Sequence, residues 1–375
     1  MKILITGGAG FIGANLVTRL HKDGHNIRVL DTLSPQIHGS DPSQSPLRQQ
    51  IEGKCEFIHG DVTDAATVSR AIDGCDAVVH LAAETGTGQS MYEVARYSHT
   101  NVQGTAVLLE AIAERKDSIH RVVVASSRAI YGEGRYEIDG KYVYPVTRHQ
   151  EDLANGKFEP LCPDTGRPLK VVATDENSRI QPNSIYGLTK YTQEHMTLLN
   201  CNALDIPAVA LRFQNVYGPG QSLSNPYTGI LSIFSTRIRH GHGIDIYEDG
   251  EESRDFVYID DVVESLVLSL TNPNAAGHAF GIGTGIGTSV MDVAKTLVDL
   301  YGISVPLTVT GAYRVGDIRH NFADTTKASN LLGFTSKVTF REGIEHFVKW
   351  VLEQPIQADT YAESVESLKK RGLFK

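Results

Sequence analysis

Residues 2–13 read KILITGGAGFIG. The run KILIT has the character of a short buried strand, and ANLVTRLH (14–21) carries its apolar residues at helical spacing. Between them the glycines fall as Gly8-x-Gly10-x-x-Gly13 and, in a second register, as Gly7-x-x-Gly10-x-x-Gly13. A phosphate can approach the backbone only where no Cβ intervenes, and a helix N-terminus supplies free N–H groups and a positive dipole end. The stretch therefore reads as the first strand, turn and helix of a parallel α/β sheet with a dinucleotide at the turn.

Further short apolar runs follow: NIRVL (26–30), CEFIHG (55–60), DAVVHLAA (76–83), RVVVAS (121–126) and AVALRF (208–213). Helical patterns such as TAVLLEAIAER (105–115) separate them. Strands alternating with helices predict a Rossmann-type doubly wound parallel sheet, joined to a smaller mixed α/β substrate-binding domain. We expect residues 1–213 to form the dinucleotide domain and 214–375 mainly the substrate domain, with GHAFGIG (277–283) a candidate to return to the main sheet. Between 133 and 182 the rhythm breaks into a Pro-, Gly- and Asp-rich stretch too long for an ordinary connection, which reads as an insertion. The final ADTYAESVESLKKRG looks like an exposed helix.

Asp31 ends the second strand 18 residues beyond Gly13, near the separation expected of the carboxylate that binds the adenosine ribose. It would repel a 2′-phosphate, and Thr32 and Leu33 add no cation, so NAD is favoured over NADP. Asp61, in GDVTD, reads either as a plain turn residue or as a partner for the adenine amino group.

Composition bounds the rest. With 41% hydrophobic and 21% charged residues the 375-residue chain lies in the globular range. Its net charge of −9 argues against a broad nucleic-acid surface. No run of apolar residues is long enough for a membrane helix, MKILITGG lacks the pattern of a secretory signal, and four scattered cysteines suit a reducing compartment. A soluble cytoplasmic protein is expected.

SIYGLTK (184–190) sets Tyr186 and Lys190 four residues apart on what reads as a helix capped by Ser184. A tyrosine is a poor base at neutral pH, but a nearby ammonium favours its phenolate. Such a base needs a hydroxyl substrate and a hydride acceptor, and the glycine turn accounts for the second. RVVVASSRAIYG offers a third polar group at a strand end facing the same crevice.

With TGGAGFIG, LDTL, GDVTD, VVHLAA, TNVQGT, VVASSRAIYG, SIYGLTK, LRFQNVYGPGQ, SRDFVYIDDVV and GDIRHNFADTTKA, the chain resembles the extended short-chain dehydrogenase/reductase family over nearly its whole length, specifically its nucleotide-sugar epimerases and dehydratases. The resemblance implies Tyr186 as the base at the sugar hydroxyl, Lys190 on the nicotinamide ribose and lowering the tyrosine pKa, and Ser127, neighbour of Ser126, on the reacting oxygen. It implies Gly7, Gly10, Phe11, Ile12 and Gly13 at the pyrophosphate, Asp31, Asp61 and Val62 at the adenosine, and Leu81, Ala82 and Ala83 beneath the cofactor. Asn215, Arg254 and Arg319 would bind the nucleotide-sugar substrate, and a homodimer through a helix bundle is implied as well.

The family's 4,6-dehydratases resemble one another in an Asp-Glu pair directly after the catalytic Ser or Thr. Here Arg128 and Ala129 stand there, which disfavours a dehydratase and points to a 4-epimerase acting through a 4-keto sugar. An NAD-linked reductase, dehydrogenase or decarboxylase is the alternative within the family, and a non-catalytic dinucleotide sensor the alternative outside it. The insertion, with LCPDTGRPL, is similar to that of dTDP-L-rhamnose 4-epimerases and related deoxysugar epimerases. Thr165 stands where a CPxCG knuckle needs a second thiolate, so Cys162 alone cannot build a zinc site and no metal is expected. The insertion is expected to act as a lid, a subunit contact or a plain surface elaboration. His149, His240 and His242 read as ordinary histidines, and Asp260-Asp261 as a helix-capping pair.

Overall fold

The computed structural model describes residues 1–223 and 229–375. Seven strands, Lys2–Thr6 (β1), Asn26–Asp31 (β2), Glu56–His59 (β3), Ala77–His80 (β4), Arg121–Ser127 (β5), Ala208–Phe213 (β6) and His278–Ile282 (β7), make one sheet. Their order is 3-2-1-4-5-6-7 and every pairing is parallel. The order reverses at β1 and β4, and the crevice beyond the C-terminal ends of those strands is where open α/β sheets bind ligands.

The main helices are Phe11–Lys22 (α1), Ala65–Ile72 (α2), Gly104–Ala113 (α3), Ile185–Ala203 (α4), Ile230–Arg239 (α5), Ile259–Thr271 (α6), Val290–Tyr301 (α7), Phe340–Glu353 (α8) and Tyr361–Lys370 (α9). Successive side chains of a strand point to opposite faces, and β1 shows the result. Ile3 and Ile5 join a core with α1 and α6, whereas Leu4 joins a separate core with α2, α3 and the end of α4. All three are fully buried, and each such side chain contributes roughly 1.5–3 kcal/mol of apolar burial. Both α6 and β7 come from the second half of the chain, so the dinucleotide sheet is completed by residues far beyond 213.

The glycine turn is set by close approach. Gly7 has φ +70°, and a Cβ on Gly13 would lie 2.5 Å from the Gly7 carbonyl oxygen and 2.6 Å from Gly8 Cα. Any side chain there would push α1 off the turn.

The insertion and the start of α6 hold features that the sequence reading did not anticipate. The insertion contains a small antiparallel sheet of Lys141–Val143, Tyr136–Ile138 and Lys170–Val171, whose hairpin turns at Asp139 and Gly140, both with positive φ. Cys162 packs with Tyr136 and Leu169 in a small core of its own beneath that sheet. The pair Asp260-Asp261 does not cap α6, which begins without a side-chain cap bond. Instead the Asp261 carboxylate accepts the backbone N–H groups of Lys337 and Val338, tying down the loop before α8.

Candidate active site

A cavity of about 540 Å³ lies along the C-terminal ends of the central strands. Gly7, Gly10, Phe11, Ile12 and Gly13 line its floor, Asp31, Asp61 and Val62 one end, and Leu81, Ala82 and Ala83 its side. The Asp31 carboxylate accepts the N–H of Ala9 at 2.9 Å and of Leu33 at 2.9 Å, which locks it against the glycine turn. Asp61 spends Oδ1 on the N–H and hydroxyl of Thr63, both at 2.8 Å, so it is a turn residue that also faces the cavity. Among the described residues the only Lys or Arg side chains lining the cavity are Lys190 and Arg128, at the end away from Asp31, and burial holds His38 below its ordinary pKa. A glycine cradle with no room for a Cβ, a helix N-terminus and a carboxylate with no cation beside it fit NAD, with its pyrophosphate on the turn and its adenosine ribose at Asp31.

At the other end stand Ser127, Tyr186 and Lys190. Ser184 caps α4 by accepting the Gly187 N–H at 3.1 Å, which starts the helix one residue before the phenol. A Cβ on Gly187 would meet the Ala129 carbonyl oxygen at 2.5 Å, so only glycine lets α4 approach the turn after β5 closely enough. Across that contact the Ser127 hydroxyl, which accepts the Ala129 N–H at 3.1 Å, lies beside the Tyr186 phenol. Burial raises the Tyr186 pKa, while Ser127 and then the Arg128 guanidinium oppose the rise.

Lys190 was expected to be the cation that lowers the tyrosine. In the structure its ammonium donates to Gln193 Oε1 at 2.8 Å, and Gln193 is in turn fixed by Thr105 at 2.9 Å and His80 at 3.1 Å. Burial brings the Lys190 pKa down to about 7 against the pull of Glu194. Burial also takes His80 down to about 3, so it stays a neutral hydrogen-bonding post. Arg128, beside Ser127, is the cation that opposes the rise in the Tyr186 pKa.

A second cavity of about 360 Å³ adjoins the first, and Arg128, Tyr186 and Asn215 line both. Arg128 Nε donates to Asn215 Oδ1 at 3.2 Å, and burial, followed by repulsion from Arg254, brings its pKa down to about 9. Arg254 lines the second cavity, held by the carbonyls of Ser253, Ile318 and Arg319 at 2.7–3.0 Å. Arg314, which sequence reasoning missed, lines it too, with its Nε 2.8 Å from Asp317.

Arg319, expected beside Arg254, lines neither cavity. Its guanidinium is consumed by carboxylates: Glu159 at 2.7 Å, Asp249 at 2.7 and 2.9 Å, and Glu248 at 3.1 Å. Its N–H donates to Glu133 at 2.7 Å. Arg148, from the insertion, adds a two-pronged pair to Glu248 at 2.8 Å and a bond to the Asp317 carbonyl at 2.9 Å. The insertion therefore clamps the segment that carries Arg314 and whose carbonyls hold Arg254. Among the described residues no three His, Cys, Asp or Glu side chains gather as a metal site, and no helix is long and apolar enough to cross a membrane.

The sequence profile of the NAD-dependent epimerase/dehydratase family matches residues 3–283. A dTDP-L-rhamnose 4-epimerase of Burkholderia thailandensis is 39% identical over 356 residues, covering 94% of this chain and 95% of that one. Among solved structures, a UDP-glucose 4-epimerase of Thermotoga maritima with UDP-glucose is 30% identical with a TM-score of 0.76. A UDP-glucuronic acid 4-epimerase of Bacillus cereus with UDP-glucuronic acid and NAD is 26% identical with a TM-score of 0.77. Each structure covers 94% of this chain and is itself covered over 99% of its length.

The clamp generates a stability prediction. Arg148→Ala leaves the buried carboxylates of Glu133 and Glu248 short of a cation, and removing one partner of a buried pair costs about 3–5 kcal/mol. Denaturant unfolding of the variant should show a loss of that order; a change near zero would mean that the network carries no stability.

Proposed function

Because the chain belongs to the NAD-dependent epimerase/dehydratase family, we propose that it is a nucleotide-sugar epimerase that inverts C4 of an NDP-hexose or NDP-6-deoxyhexose through a transient 4-keto sugar. The observation that carries this reading is Tyr186 lining both cavities beside Ser127 of the first, with Arg128 and Ala129 where an elimination would need a carboxylic acid and carboxylate. The 39% identity to a dTDP-L-rhamnose 4-epimerase favours a dTDP-linked deoxysugar.

NAD, held at the glycine turn and Asp31, would supply the hydride acceptor and donor for C4. The residues of the chain do the rest. Tyr186 takes the proton of the C4 hydroxyl and later returns it, Ser127 holds the same oxygen, and Arg128 stabilises the charge that the phenol and the oxygen share. Lys190 holds the nicotinamide ribose. Arg254 and Arg314 take the diphosphate, for which the fork of a guanidinium is suited, and Asn215 orients the group between. Arg319 is reassigned from substrate contact to support of Arg254.

The protein is further proposed to be a homodimer through α4. Leu188 and Leu199 are 49% and 63% exposed on that helix, three turns apart on one face. Apolar side chains gathered on one face in this way mark an interaction surface. Light scattering should give twice the chain mass, and Leu188→Glu should shift it toward the monomer; a monomeric unaltered protein would refute the dimer.

Two further measurements test the chemistry. Incubated with dTDP-, UDP-, GDP- and CDP-sugars, the protein should form an epimer with no net change in NADH absorbance, and Tyr186→Phe should lower turnover by about 10²- to 10⁴-fold while NAD remains bound. No product from any of these sugars, or full activity in the variant, would sink the assignment.

The second concerns pH. The active form of Tyr186 at the first step is the phenolate, so kcat/KM should rise as pH rises through its pKa. Arg128 pulls that pKa down, and replacing it removes the pull. The rising limb of the Arg128→Gln profile should therefore lie at higher pH than that of the unaltered protein. A limb that does not move would assign the charge stabilisation elsewhere.

A further inference from the structure

One wall of the second cavity is not used by the chemistry above. Tyr361, Ser364, Val365 and Leu368 of α9, with Leu373 after it, line the second cavity and not the first. They follow helical spacing, so they form one face, while Glu363, Glu366, Lys369 and Lys370 are exposed. No residue of α9 is fully buried. The helix thus turns its less polar face toward a cavity and not into a core.

Its attachments are specific. Asp359 accepts from His242 Nδ1 at 2.7 Å and lies 3.6 Å from Arg237. The Arg237 guanidinium stands 4.3 Å over the Tyr361 ring, whose hydroxyl meets that of Tyr247 at 2.8 Å. Beyond α9 the backbone pairs with the segment carrying Arg314: Tyr313 and Lys375 exchange bonds of 2.9 and 3.1 Å, and the Val315 N–H donates to Leu373 at 3.0 Å. The tail therefore braces the backbone from which one diphosphate arginine projects.

Residues shared by both cavities, Tyr186 among them, mark the sugar end. Arg254 and Arg314 take the diphosphate. Linear connectivity of a nucleotide sugar then leaves the nucleoside for the far end of the cavity, where the α9 face stands with Ile230, Ile233 and Phe234 of α5 and with Tyr247. We infer that residues 358–373 form one wall of the nucleoside subsite, with Tyr361, Val365 and Leu368 packing against base and ribose and Ser364 as a polar contact. An aromatic ring and aliphatic side chains beside a few polar groups are what a flat heterocycle requires. The inference rests on the reading of the second cavity as the nucleotide-sugar site.

The test uses Val365→Trp, which fills this wall with an indole, and a chain lacking residues 357–375. Binding of free dTDP and UDP is measured by calorimetry, alongside KM and kcat for the sugar nucleotide and the NAD content of the purified protein. The unaltered chain should bind at least one of the two diphosphates. Val365→Trp should weaken that binding about tenfold or more and raise KM to match, with a smaller change in kcat and NAD content unaltered. The shortened chain should behave alike, and if it does not fold, Val365→Trp decides. Unchanged affinity and KM in Val365→Trp, in a protein that turns over its sugar nucleotide, would overturn the inference and leave the epimerase reading standing. An unaltered chain that neither turns over any sugar nucleotide nor binds either diphosphate would overturn the epimerase reading, and the inference with it.

Discussion

The geometry of the site depends on one buried side chain, Arg212 of β6. Its Nε and Nη2 donate to the Glu194 carboxylate on α4 at 2.6–3.2 Å, and its Nη1 donates to the Tyr131 hydroxyl at 2.6 Å and to the Glu176 carbonyl at 3.0 Å. Glu194 rides on the same helix as Tyr186 and Lys190, and Tyr131 ends the turn that begins with Ser127 and Arg128. Arg212 therefore fixes the helix bearing the base against the strand end bearing its hydroxyl partner. A buried ion pair is weak evidence of net stability, because desolvation offsets much of the attraction. What it specifies is position: a guanidinium with five donors in a rigid plane accepts few arrangements of its partners.

That position matters because the site uses charges at close quarters. The chain carries a net charge of −9, so its overall field repels an anionic nucleotide sugar. Attraction has to be local. Arg128, Arg254 and Arg314 supply it within the second cavity. Asp317 lies among them, and although burial opposes it, Arg314, Arg254, Arg148 and Arg128 hold its carboxyl below the usual range. It remains charged and keeps the arginines from repelling one another apart. Glu252, on the same cavity, is pushed up to about 7 by burial and by Glu248, so it gives up part of its charge where a diphosphate would sit.

The sheet, the glycine turn and the Ser, Tyr and Lys positions were legible because each has a local signal: an apolar run, a glycine spacing, a capped helix start. What escaped was decided by tertiary partners. Arg314 and Arg319 lie five residues apart in one segment, and nothing nearby in sequence says which faces the ligand. The acids at 133, 159, 248 and 249 claim Arg319 from distant parts of the chain and leave Arg314 to the cavity. Lys190 likewise depends on Gln193, whose orientation is fixed by His80 and Thr105 in other elements. The role of α9 was hidden because its less polar face meets a void, so that none of its residues is buried and it reads as an exposed helix. The hairpin at Asp139-Gly140 went unread, although an Asp-Gly pair between strand-like residues is a strong turn signal.

On the epimerase reading, the substrate has to be held fast at one end and left free to turn at the other, and the walls divide accordingly. The diphosphate end is rigid by construction. Arg254 is held by three backbone carbonyls, the segment supplying two of them is clamped by Glu133, Arg148 and Glu159 of the insertion, and Arg314 is braced by backbone pairing with residues 373–375. At the sugar end, Gly86, Thr87 and Gly88 stand near Tyr186, and small residues leave a ring room to present its other face. No residue of 133–182 lines either cavity, and the insertion acts on the site from behind its wall. By way of Arg319 and the Asp317 carbonyl it stiffens the anchor, and a stiff anchor is what lets a loosely held keto sugar rotate without leaving.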